Sequence, residues 1–425
     1  MTPLEATAPG PRPRVALLGA FAFPYPQGSQ IFFAQQARDL GEAGAQPVLL
    51  CYGRGVGEAP EAIERIPSPK HLAPRAMGSG PQWGKPVADL ALLGTWLRAA
   101  RRARQRAQPF DFVLAHNVEA AAIALASRRA TRTPVVYVAH TLLRHELSAY
   151  LPERHSGEAA RAGQQIERAI VRRADGVITL CGAAHRALSP HAPGEVALIP
   201  PSFEARPTPD PAHQSRTCWR HGLSPGRYAL YSGNLDRYQD LDLLAAAARR
   251  LPASFDPVVV ASHAPPSSAP SPTPLAPGRE TPRSARLRHV RVRDFEEMRT
   301  LIHGAGCLVA PRRRIGGFPI KLLNYMEARR PIIAFAGAAP GLKHGESAWL
   351  IEETDSPTET SDRMAEAMAN ALTALFADPA LGRHLGAGAR HRLEAQHPSP
   401  LIGAKTVDYL SRLARQPENA ELQVP

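Results

Sequence analysis

The sequence predicts an α/β protein built from two Rossmann-like domains, each a parallel sheet covered by helices. The clearest observation is segment 306–337, where an apolar run (307–310), a loop of glycines and arginines, a helical stretch and a second apolar run (332–335) follow one another. Two neighbouring strands joined through a helix run parallel. A second observation is that similar alternations begin at residue 14 and again at residue 228, which indicates two such halves.

The first half opens with a βαβ unit. Apolar residues 14–20 and 46–52 predict two buried strands, and residues 31–43 predict the helix between them. Gly28 and Ser29 stand just ahead of that helix, where they would either line a phosphate or serve as ordinary turn residues. The unit lacks the full G-x-G-x-x-G spacing of dinucleotide-binding folds, so the pattern gives little support to a dehydrogenase.

Two further predicted strands of this half each end in a histidine. One strand leads to His116 and Asn117, and the next leads to His140. Open α/β sheets bind their ligands at the carboxyl ends of their strands, which makes these positions candidates for a site. A loop containing Arg144 follows and is expected to form the rim. A single histidine is more often structural, but two at equivalent strand ends favour a functional role.

The loop of segment 306–337 is the candidate anion site. It contains Arg312, Arg313, Arg314, Gly316 and Gly317. Pro319 is typical of a first helical turn, and helical spacing continues over residues 320–330. Lys321 and Asn324 lie three residues apart and therefore share a helix face. Lys321 would neutralise a phosphate and Asn324 would bind ribose hydroxyls; the alternative is an ordinary surface lysine and asparagine.

Other stretches of the chain are predicted from composition and spacing. Residues 53–86 are rich in Pro and Gly and are expected to be irregular. Residues 264–283 hold seven prolines and are expected to be disordered or extended. Helical spacing near the end of the chain covers residues 361–376, 379–396 and 401–414.

One formal metal motif is discounted. Asp240 and Asp242 fit a D-x-D pattern, but they stand at the start of a predicted helix, where aspartate is a common cap. The four cysteines show no close pairing, so reduced thiols and no zinc site are expected. We therefore predict no metal site.

Charge and hydropathy limit the classes of partner. The net charge is +13, which attracts anionic lipids, nucleic acid or phosphorylated substrates. The sequence shows no nucleic-acid-binding motif, so no nucleic-acid partner is expected. It also shows no apolar run of membrane-spanning length, and residues 1–14 lack an apolar signal core. A cytoplasmic protein is expected, with possible peripheral binding at an anionic inner membrane face.

The best basic patch lies on one predicted helix. Residues 98–106 carry five arginines, and Leu92, Leu93 and Leu97 stand just upstream. Such a segment can lie on an anionic bilayer with the leucines as apolar anchors. The alternative is an ordinary solvated helix with those leucines in the core of the domain.

Three segments carry a resemblance to a known family. They are ALYSGNLDRYQDLDLLAAA, GFPIKLLNYMEARRPIIAFAG and GLKHGESAWLI, all in the second half. The sequence resembles retaining nucleotide-sugar glycosyltransferases of the two-Rossmann (GT-B) architecture, especially family four. The resemblance implies two domains facing across a cleft, with C-terminal helices packing back toward the first domain. The implied division is 1–205 for the acceptor, 206–385 for the nucleotide-sugar donor, and 386–425 for the returning helices.

The resemblance also implies roles for individual residues. His140, Lys321 and Arg237 are expected to be catalytic, with His140 near the transferred sugar. The donor-binding residues are expected to be Gly28, Ser29, Gly233, Asn234, Arg314, Gly316, Gly317, Phe318, Pro319, Ile320 and Asn324. The acceptor-binding residues are expected to be His116, Asn117 and Arg144. No cofactor is expected beyond the nucleotide-sugar substrate, and the acceptor is expected to be lipid-linked, a polysaccharide or a small molecule.

The sequence departs from the family pattern at two places. The usual pair of glutamates is replaced by Gly316 and Asn324, and the usual Arg and Lys after the first strand of the second domain by Asn234 and Gln239. Arg237, Lys321 or the arginine run would supply the missing positive charge. Two alternatives to a transferase stay open: a nucleotide-sugar binding protein without activity, and a two-Rossmann nucleotide-sugar epimerase.

Overall fold

The computed structural model describes residues 12–74, 84–150, 153–252, 255–263, 287–313, 316–353 and 360–415. The chain forms two compact units. The first contains Met1–Ser202, Gly316–Phe318 and Pro398–Pro425, and the second contains Phe203–Ile315 and Pro319–His397. The domain limits expected at residues 205 and 385 remain a prediction. The proline-rich stretch 264–283, predicted to be disordered or extended, lies outside the described residues.

The first unit is built on a seven-stranded sheet in which every pair of neighbouring strands is parallel. The strands are β1 (Arg14–Ala22), β2 (Gln46–Tyr52), β3 (Glu64–Pro67), β4 (Phe112–His116), β5 (Val135–Ala139), β6 (Gly176–Thr179) and β7 (Val196–Leu198). Their order is β3-β2-β1-β4-β5-β6-β7. β4, β5 and β6 are buried along their whole length because helices cover both faces, which explains their continuous apolar sequences.

Among the described residues before Ser202, six α-helices accompany this sheet. They are α1 (Gly28–Glu42), α2 (Lys85–Gln105), α3 (Val118–Thr131), α4 (Leu143–Tyr150), α5 (Glu153–Val171) and α6 (Gly182–Leu188). Two predictions for this unit are wrong. The stretch expected to be irregular contains β3, an edge strand whose exposed charges hide the strand pattern. The rim loop expected at Arg144 is α4, which packs against α5 so closely that a Cβ added at Gly163 would lie 3.0 Å from the Leu143 carbonyl oxygen.

The second unit repeats the architecture with a six-stranded sheet of parallel strand pairs. Its strands are β8 (Ala229–Ser232), β9 (Val258–Ser262), β10 (Leu287–Arg291), β11 (Cys307–Ala310), β12 (Ile332–Phe335) and β13 (Trp349–Ile351), in the order β10-β9-β8-β11-β12-β13. Its helices are α7 (Pro211–Arg220), α8 (Leu241–Arg250), α9 (Phe295–Gly304), α10 (Lys321–Glu327), α11 (Thr360–Ala377) and α12 (Pro379–Gln396). The two sheets therefore confirm the predicted pair of Rossmann-like domains.

Helix α10 is shorter than predicted. It ends at Glu327 because Arg329 has a left-handed backbone with φ of 54° and Pro331 cannot continue a helix. Its seven residues still place Lys321 and Asn324 one turn apart.

The last helix, α13 (Ser399–Ala414), belongs to the first unit. The Tyr409 hydroxyl donates to the Glu195 carbonyl oxygen at 2.7 Å and accepts from the Val177 N–H at 2.9 Å, which fastens α13 to β6. α13 also packs on α1, where a Cβ added at Gly403 would lie 2.3 Å from the Asp39 carbonyl oxygen. The chain therefore returns to the first unit as predicted, and the return begins at Pro398 because α12 stays with the second unit. Within the described residues, no helix is both long and apolar enough to cross a membrane.

Candidate functional site

In each sheet there is a point at which the strand order reverses. That point lies between β1 and β4 in the first unit, and between β8 and β11 in the second. In open α/β sheets ligands bind at the carboxyl ends of the strands beside such a point. The residues that follow β4, β5, β8 and β11 are therefore the ones to examine, one unit at a time.

In the first unit the two predicted histidines contact each other. His116 ends β4 and His140 follows β5, and these strands are neighbours in parallel register. His116 Nδ1 and His140 Nε2 lie 2.8 Å apart, a hydrogen-bond distance, and the ring planes meet at 80°. The His116 side chain is fully buried, whereas His140 keeps 7% of its surface exposed. A ligand approaching this edge therefore meets His140 and not His116.

Two phenylalanines of α1 surround this pair. The ring of Phe33 meets that of His116 edge-on at a centroid distance of 4.8 Å, and Phe32 meets His140 at 5.1 Å. Burial lowers the pKa of His116 well below its usual value, and the neighbouring His140 lowers it further. Burial also lowers the pKa of His140 to about 3. Both imidazoles are therefore neutral at physiological pH, which suits contact with sugar hydroxyls.

The other residues expected at this edge have local roles in the first unit. Asn117 Oδ1 accepts from the Ala120 N–H at 3.0 Å and caps α3. Its backbone has φ of 80° and ψ of 171°, a conformation that costs a non-glycine residue about 1–3 kcal/mol. Gly28 and Ser29, expected before the helix, form the first turn of α1. Arg144 is half-buried in α4.

Sequence reasoning missed a buried carboxyl group behind α4. Glu167 of α5 accepts hydrogen bonds from the Tyr137 hydroxyl at 3.0 Å and the Leu143 N–H at 3.3 Å. It therefore links β5 to the first residue of α4. Burial raises the pKa of Glu167 to about 7 against the opposing effect of these hydrogen bonds. Nothing in the sequence marks this glutamate, because its neighbours along α5 are ordinary helix formers.

In the second unit Lys321 is held among polar groups at the ends of β8 and the following turn. Its ammonium donates to the Tyr231 hydroxyl at 2.8 Å and to Gln239 Oε1 at 3.0 Å, and it lies 4.0 Å from the centroid of the Tyr231 ring. Desolvation lowers the pKa of Lys321 well below its usual value, Arg312 lowers it further, and Asp236 opposes both. Lys321 is therefore held in place by these hydrogen bonds, and its surroundings carry too little negative charge to balance its own.

Asn234 connects the turn after β8 to this lysine through Gln239. Gln239 Nε2 donates to Asn234 Oδ1 at 2.7 Å, while Asn234 Nδ2 donates to Asp236 Oδ2 at 2.6 Å and to the Tyr238 hydroxyl at 2.8 Å. These bonds leave little freedom to the side chains that position Lys321.

Glycine at position 233 leaves room for the lysine. Gly233 has φ of 131°, and a Cβ there would lie 3.0 Å from Lys321 Nζ. The backbone conformation and the close approach of the ammonium both favour glycine. The predicted residues Gly233, Asn234 and Lys321 are therefore brought together.

The arginine loop after β11 is fastened to the same region. Asp240 accepts from the Arg313 backbone N–H at 3.0 Å and from Arg313 Nη2 at 2.8 Å. Asp240 stands at the N-cap position of α8, but its side chain makes no capping hydrogen bond and its φ is 53°. The cap interpretation of Asp240 is wrong, because the carboxylate is taken by Arg313. Arg312 lies over the Tyr238 ring at 5.1 Å.

The remaining predicted donor residues are placed as follows. Gly316, Gly317 and Phe318 are grouped with the first unit, whereas Pro319, Ile320 and Asn324 are in the second. Arg314 lies outside the described residues, and for Arg237 the structure describes only the backbone, in the 3₁₀ turn Arg237–Gln239. Gly28 and Ser29 belong to the first unit, whereas Lys321 belongs to the second. Sequence reasoning missed Tyr231, although a tyrosine two residues before the Gly233 turn is a usable signal.

Two family models match the sequence. The first, described as glycosyl transferase 4-like domain, covers residues 27–202. The second, described as glycosyl transferases group 1, covers residues 226–373. The two matches fall on the two Rossmann-like domains and together cover about three quarters of the chain. A comparison with curated proteins finds no match.

Solved structures of similar fold include three with informative descriptions. Sucrose-phosphate synthase (tll1590) from Thermosynechococcus elongatus is 19% identical, with a TM-score of 0.69, and the match covers 95% of this chain and 99% of that one. Anabaena Alr3699/HepE in complex with UDP-glucose is 14% identical, with a TM-score of 0.65 and coverage of 94% and 99%. WaaG, a glycosyltransferase involved in lipopolysaccharide biosynthesis, is 18% identical, with a TM-score of 0.62 and coverage of 93% and 99%.

At these identities the likeness to solved structures shows the fold, and the family models give the activity. A glycosyl transferase 4-like domain followed by a group 1 domain, on two parallel Rossmann-like sheets, shows that this chain belongs to the glycosyltransferases of the two-Rossmann (GT-B) architecture.

Proposed function

We propose that the protein transfers a sugar from a nucleotide-sugar donor, and that the second unit binds the diphosphate of the donor at Lys321. The observation that carries the proposal is the fixed ammonium beside Gly233, held by Tyr231 and Gln239. An ammonium has three N–H donors, and two are directed at these neutral oxygens. The third is available to a phosphate oxygen. The neighbour HepE, solved with UDP-glucose, supports this class of donor.

The chemistry requires positive charge at the leaving group. During transfer the bond between the anomeric carbon and the donor phosphate breaks, and the acceptor oxygen bonds to that carbon as its proton passes to the departing diphosphate. Negative charge develops on the diphosphate, so a prepositioned cation stabilises the transition state more than the ground state. Lys321 and Arg312 would supply that charge. Retention of configuration rests on the family resemblance and is part of the proposal.

Metal independence is a further part of the proposal. A D-x-D motif can hold a cation only if its carboxylates are available, and Asp240 is engaged by Arg313 at 2.8 Å. The cations Lys321 and Arg312 would serve at the diphosphate instead.

The first unit is proposed to bind the acceptor. Its strand edge presents the neutral His140, backed by Phe32, so it favours hydroxyl groups and apolar faces of sugars over anions. A lipid-linked or polysaccharide acceptor is the class we favour, and the WaaG neighbour, involved in lipopolysaccharide biosynthesis, supports it.

A lipid-linked acceptor would require docking at a membrane surface, and α2 is the element we propose for it. Leu92, one of the predicted anchors, is fully buried, so that part of the prediction is wrong. The outward face instead carries Leu90 and Val87, which are 68% and 51% exposed. Arg98 comes eleven residues after Val87, and Arg101 comes eleven residues after Leu90. Eleven residues are close to three full helical turns, so the arginines share a helix face with these apolar residues. A basic face with apolar anchors is suited to an anionic bilayer.

The test of the proposed function combines binding and turnover. Titration of the protein with nucleoside diphosphates and their sugars, followed by transfer assays with and without chelator, should reveal a preferred base and sugar. Binding without hydrolysis or transfer would identify a binding protein, and a free epimerised sugar would identify an epimerase. Absence of any nucleotide binding would refute the assignment of Lys321. Loss of activity with chelator, restored by magnesium or manganese, would refute metal independence.

A further inference from the structure

The contact between the two buried histidines fixes more than their positions. A neutral imidazole has one N–H and one unprotonated nitrogen. His116 Nδ1 faces His140 Nε2 at 2.8 Å, so one of these two atoms carries the shared proton and the other accepts it. Whichever arrangement holds also determines which nitrogen of His140 is left for a substrate.

The other nitrogen of His116 distinguishes the two arrangements. His116 Nε2 is buried and has no hydrogen-bond partner. If His140 donated, the single proton of His116 would sit on Nε2, leaving a buried N–H without an acceptor. If His116 donates from Nδ1, the unpaired atom is a lone pair. A buried N–H without an acceptor is rarer and costs more free energy than a buried lone pair without a donor. The arrangement in which His116 donates from Nδ1 is therefore favoured.

We propose that His116 is a positioning residue that donates from Nδ1 to His140 Nε2 and thereby holds His140 in the tautomer protonated at Nδ1. His140 then meets the substrate as a hydrogen-bond donor, because its accepting nitrogen is already occupied. It would donate to a sugar hydroxyl and would not remove a proton from the acceptor. This assignment rests on the proposed transfer reaction and gives His116 a role in place of direct acceptor contact.

The surroundings of the pair support a fixed tautomer. Phe33 at 4.8 Å and Phe32 at 5.7 Å pack against the His116 ring, and full burial keeps water away from it. Exchange between tautomers would require a water or another side chain at Nε2, and no hydrogen-bond partner is present there in the described structure. The imidazole of His140 therefore has a single stable hydrogen-bonding direction on its buried side.

The first test is spectroscopic and requires no activity. Nitrogen-15 spectra of protein labelled at histidine, with the His140 signal assigned by comparison with His140→Gln, report which ring nitrogen carries the proton. We expect protonation at Nδ1 of His140 in the unaltered protein. Protonation at Nε2 of His140 would overturn the proposal whether or not the protein transfers a sugar.

Two variants of His116 test the consequence for turnover. His116→Asn places an amide N–H where Nδ1 stands, whereas His116→Phe keeps a ring of similar size and removes the donor. We expect kcat to fall about tenfold more in His116→Phe than in His116→Asn, because a tenfold change corresponds to the free energy of about one hydrogen bond. We also expect the tautomer of His140 to change only in the Phe variant. Melting temperatures and nucleoside diphosphate affinity of both variants separate this effect from misfolding and from donor binding.

The outcomes are distinguishable. Equal losses of kcat in the two variants, or an unchanged His140 tautomer in His116→Phe, would reduce His116 to a packing residue and overturn the proposal. The expected tautomer in a protein that transfers no sugar would count against the proposed reaction and leave the hydrogen-bond assignment in place.

Discussion

The two Rossmann-like units share a topology but present opposite chemistry at the same sheet edge. Strands β4 and β11 hold equivalent places in the two strand orders, yet β4 leads to the neutral, aromatic-packed His116 whereas β11 leads to Arg312 and Arg313. Burial lowers the pKa of the histidines in one unit and of Lys321 in the other for the same reason, the cost of desolvating a charge. A bound phosphate would stabilise the charged form of the lysine, whereas nothing anionic is expected beside the histidines. The fold therefore positions a site, and the side chains decide what it accepts.

The cationic edge should show the largest effect. Lys321→Met should lower kcat by about 10²–10³-fold, the usual cost of removing one prepositioned group at a developing charge. It should also weaken nucleoside diphosphate binding by about 1–3 kcal/mol. Transfer assays and calorimetry measure the two effects. Lys343→Met, which removes an exposed lysine of the same unit, is the matched control; a loss no larger than that of the control would contradict the assignment.

The stability of the first unit, which carries the two neutral histidines, should depend on pH through Glu167. Its pKa is about 7 in the folded chain against 4.5 for the free side chain, so the folded state holds the proton more tightly. The free energy of unfolding should therefore fall by about 3 kcal/mol as pH rises from about 4.5 to 7, since 1.36 kcal/mol corresponds to each pKa unit. The glutamine of Glu167→Gln cannot titrate, so this variant should lose that fall in the free energy of unfolding. Denaturation with urea at several pH values measures it.

The control for Glu167 is Glu158→Gln, which changes an exposed glutamate on the same helix. Its unfolding free energy should follow the unaltered protein at every pH. If Glu167→Gln shows the same fall with pH, another carboxyl group whose pKa is also raised by desolvation, such as the buried Asp39 or the half-buried Asp89, carries the pH dependence instead.

Binding at the cationic edge should be coupled to proton uptake. The pKa of Lys321 is lowered in the free protein, and a bound diphosphate would raise it, so binding should take up protons at pH values between the pKa of the free and of the bound protein. Calorimetry in buffers of different ionisation enthalpy measures the uptake. Lys321→Arg keeps a permanent charge and should bind with less proton uptake. Equal uptake in the two proteins would show that another group is protonated.

The effect that salt weakens most is expected at the membrane surface. Changing Arg98, Arg101 and Arg102 to Ser should weaken binding to anionic vesicles by about 1 kcal/mol for each arginine at low salt, and less at high salt. Arg104 is left in place because it donates to the carbonyl oxygens of Ala130 and Thr131 at the end of α3. Co-sedimentation with anionic and neutral vesicles measures the effect.

The control for this experiment removes the same number of charges from the second unit. Arg216, Arg249 and Arg383 are exposed, and their joint change to Ser should leave vesicle binding at the level of the unaltered protein. Leu90→Gln should reduce binding further in the α2 variant if that leucine enters the bilayer. Equal loss in both arginine variants would indicate a response to net charge and not to α2.

Strands and helices with strong local patterns were predictable. The strands at residues 307–310 and 332–335 and the helix at 379–396 have the predicted bounds, because continuous apolar runs and flanking prolines mark them. β3 was not predictable, since an exposed edge strand needs no apolar pattern and forms by pairing with β2. α4 was not predictable either, because it is short and depends on packing against α5.

The sequence by itself determined two parallel α/β domains, the strand ends at which His116, His140 and Gly233 stand, and the basic loop at Arg312. These follow from apolar runs, glycines and charge, which are local properties of the chain. Only the tertiary structure decided that the two histidines bind each other, that Asp240 binds Arg313 across 73 positions, and that Tyr231 and Gln239 hold Lys321. The physical reason is that such contacts depend on strand order and on distances between residues far apart in sequence. A local sequence pattern contains no information about either.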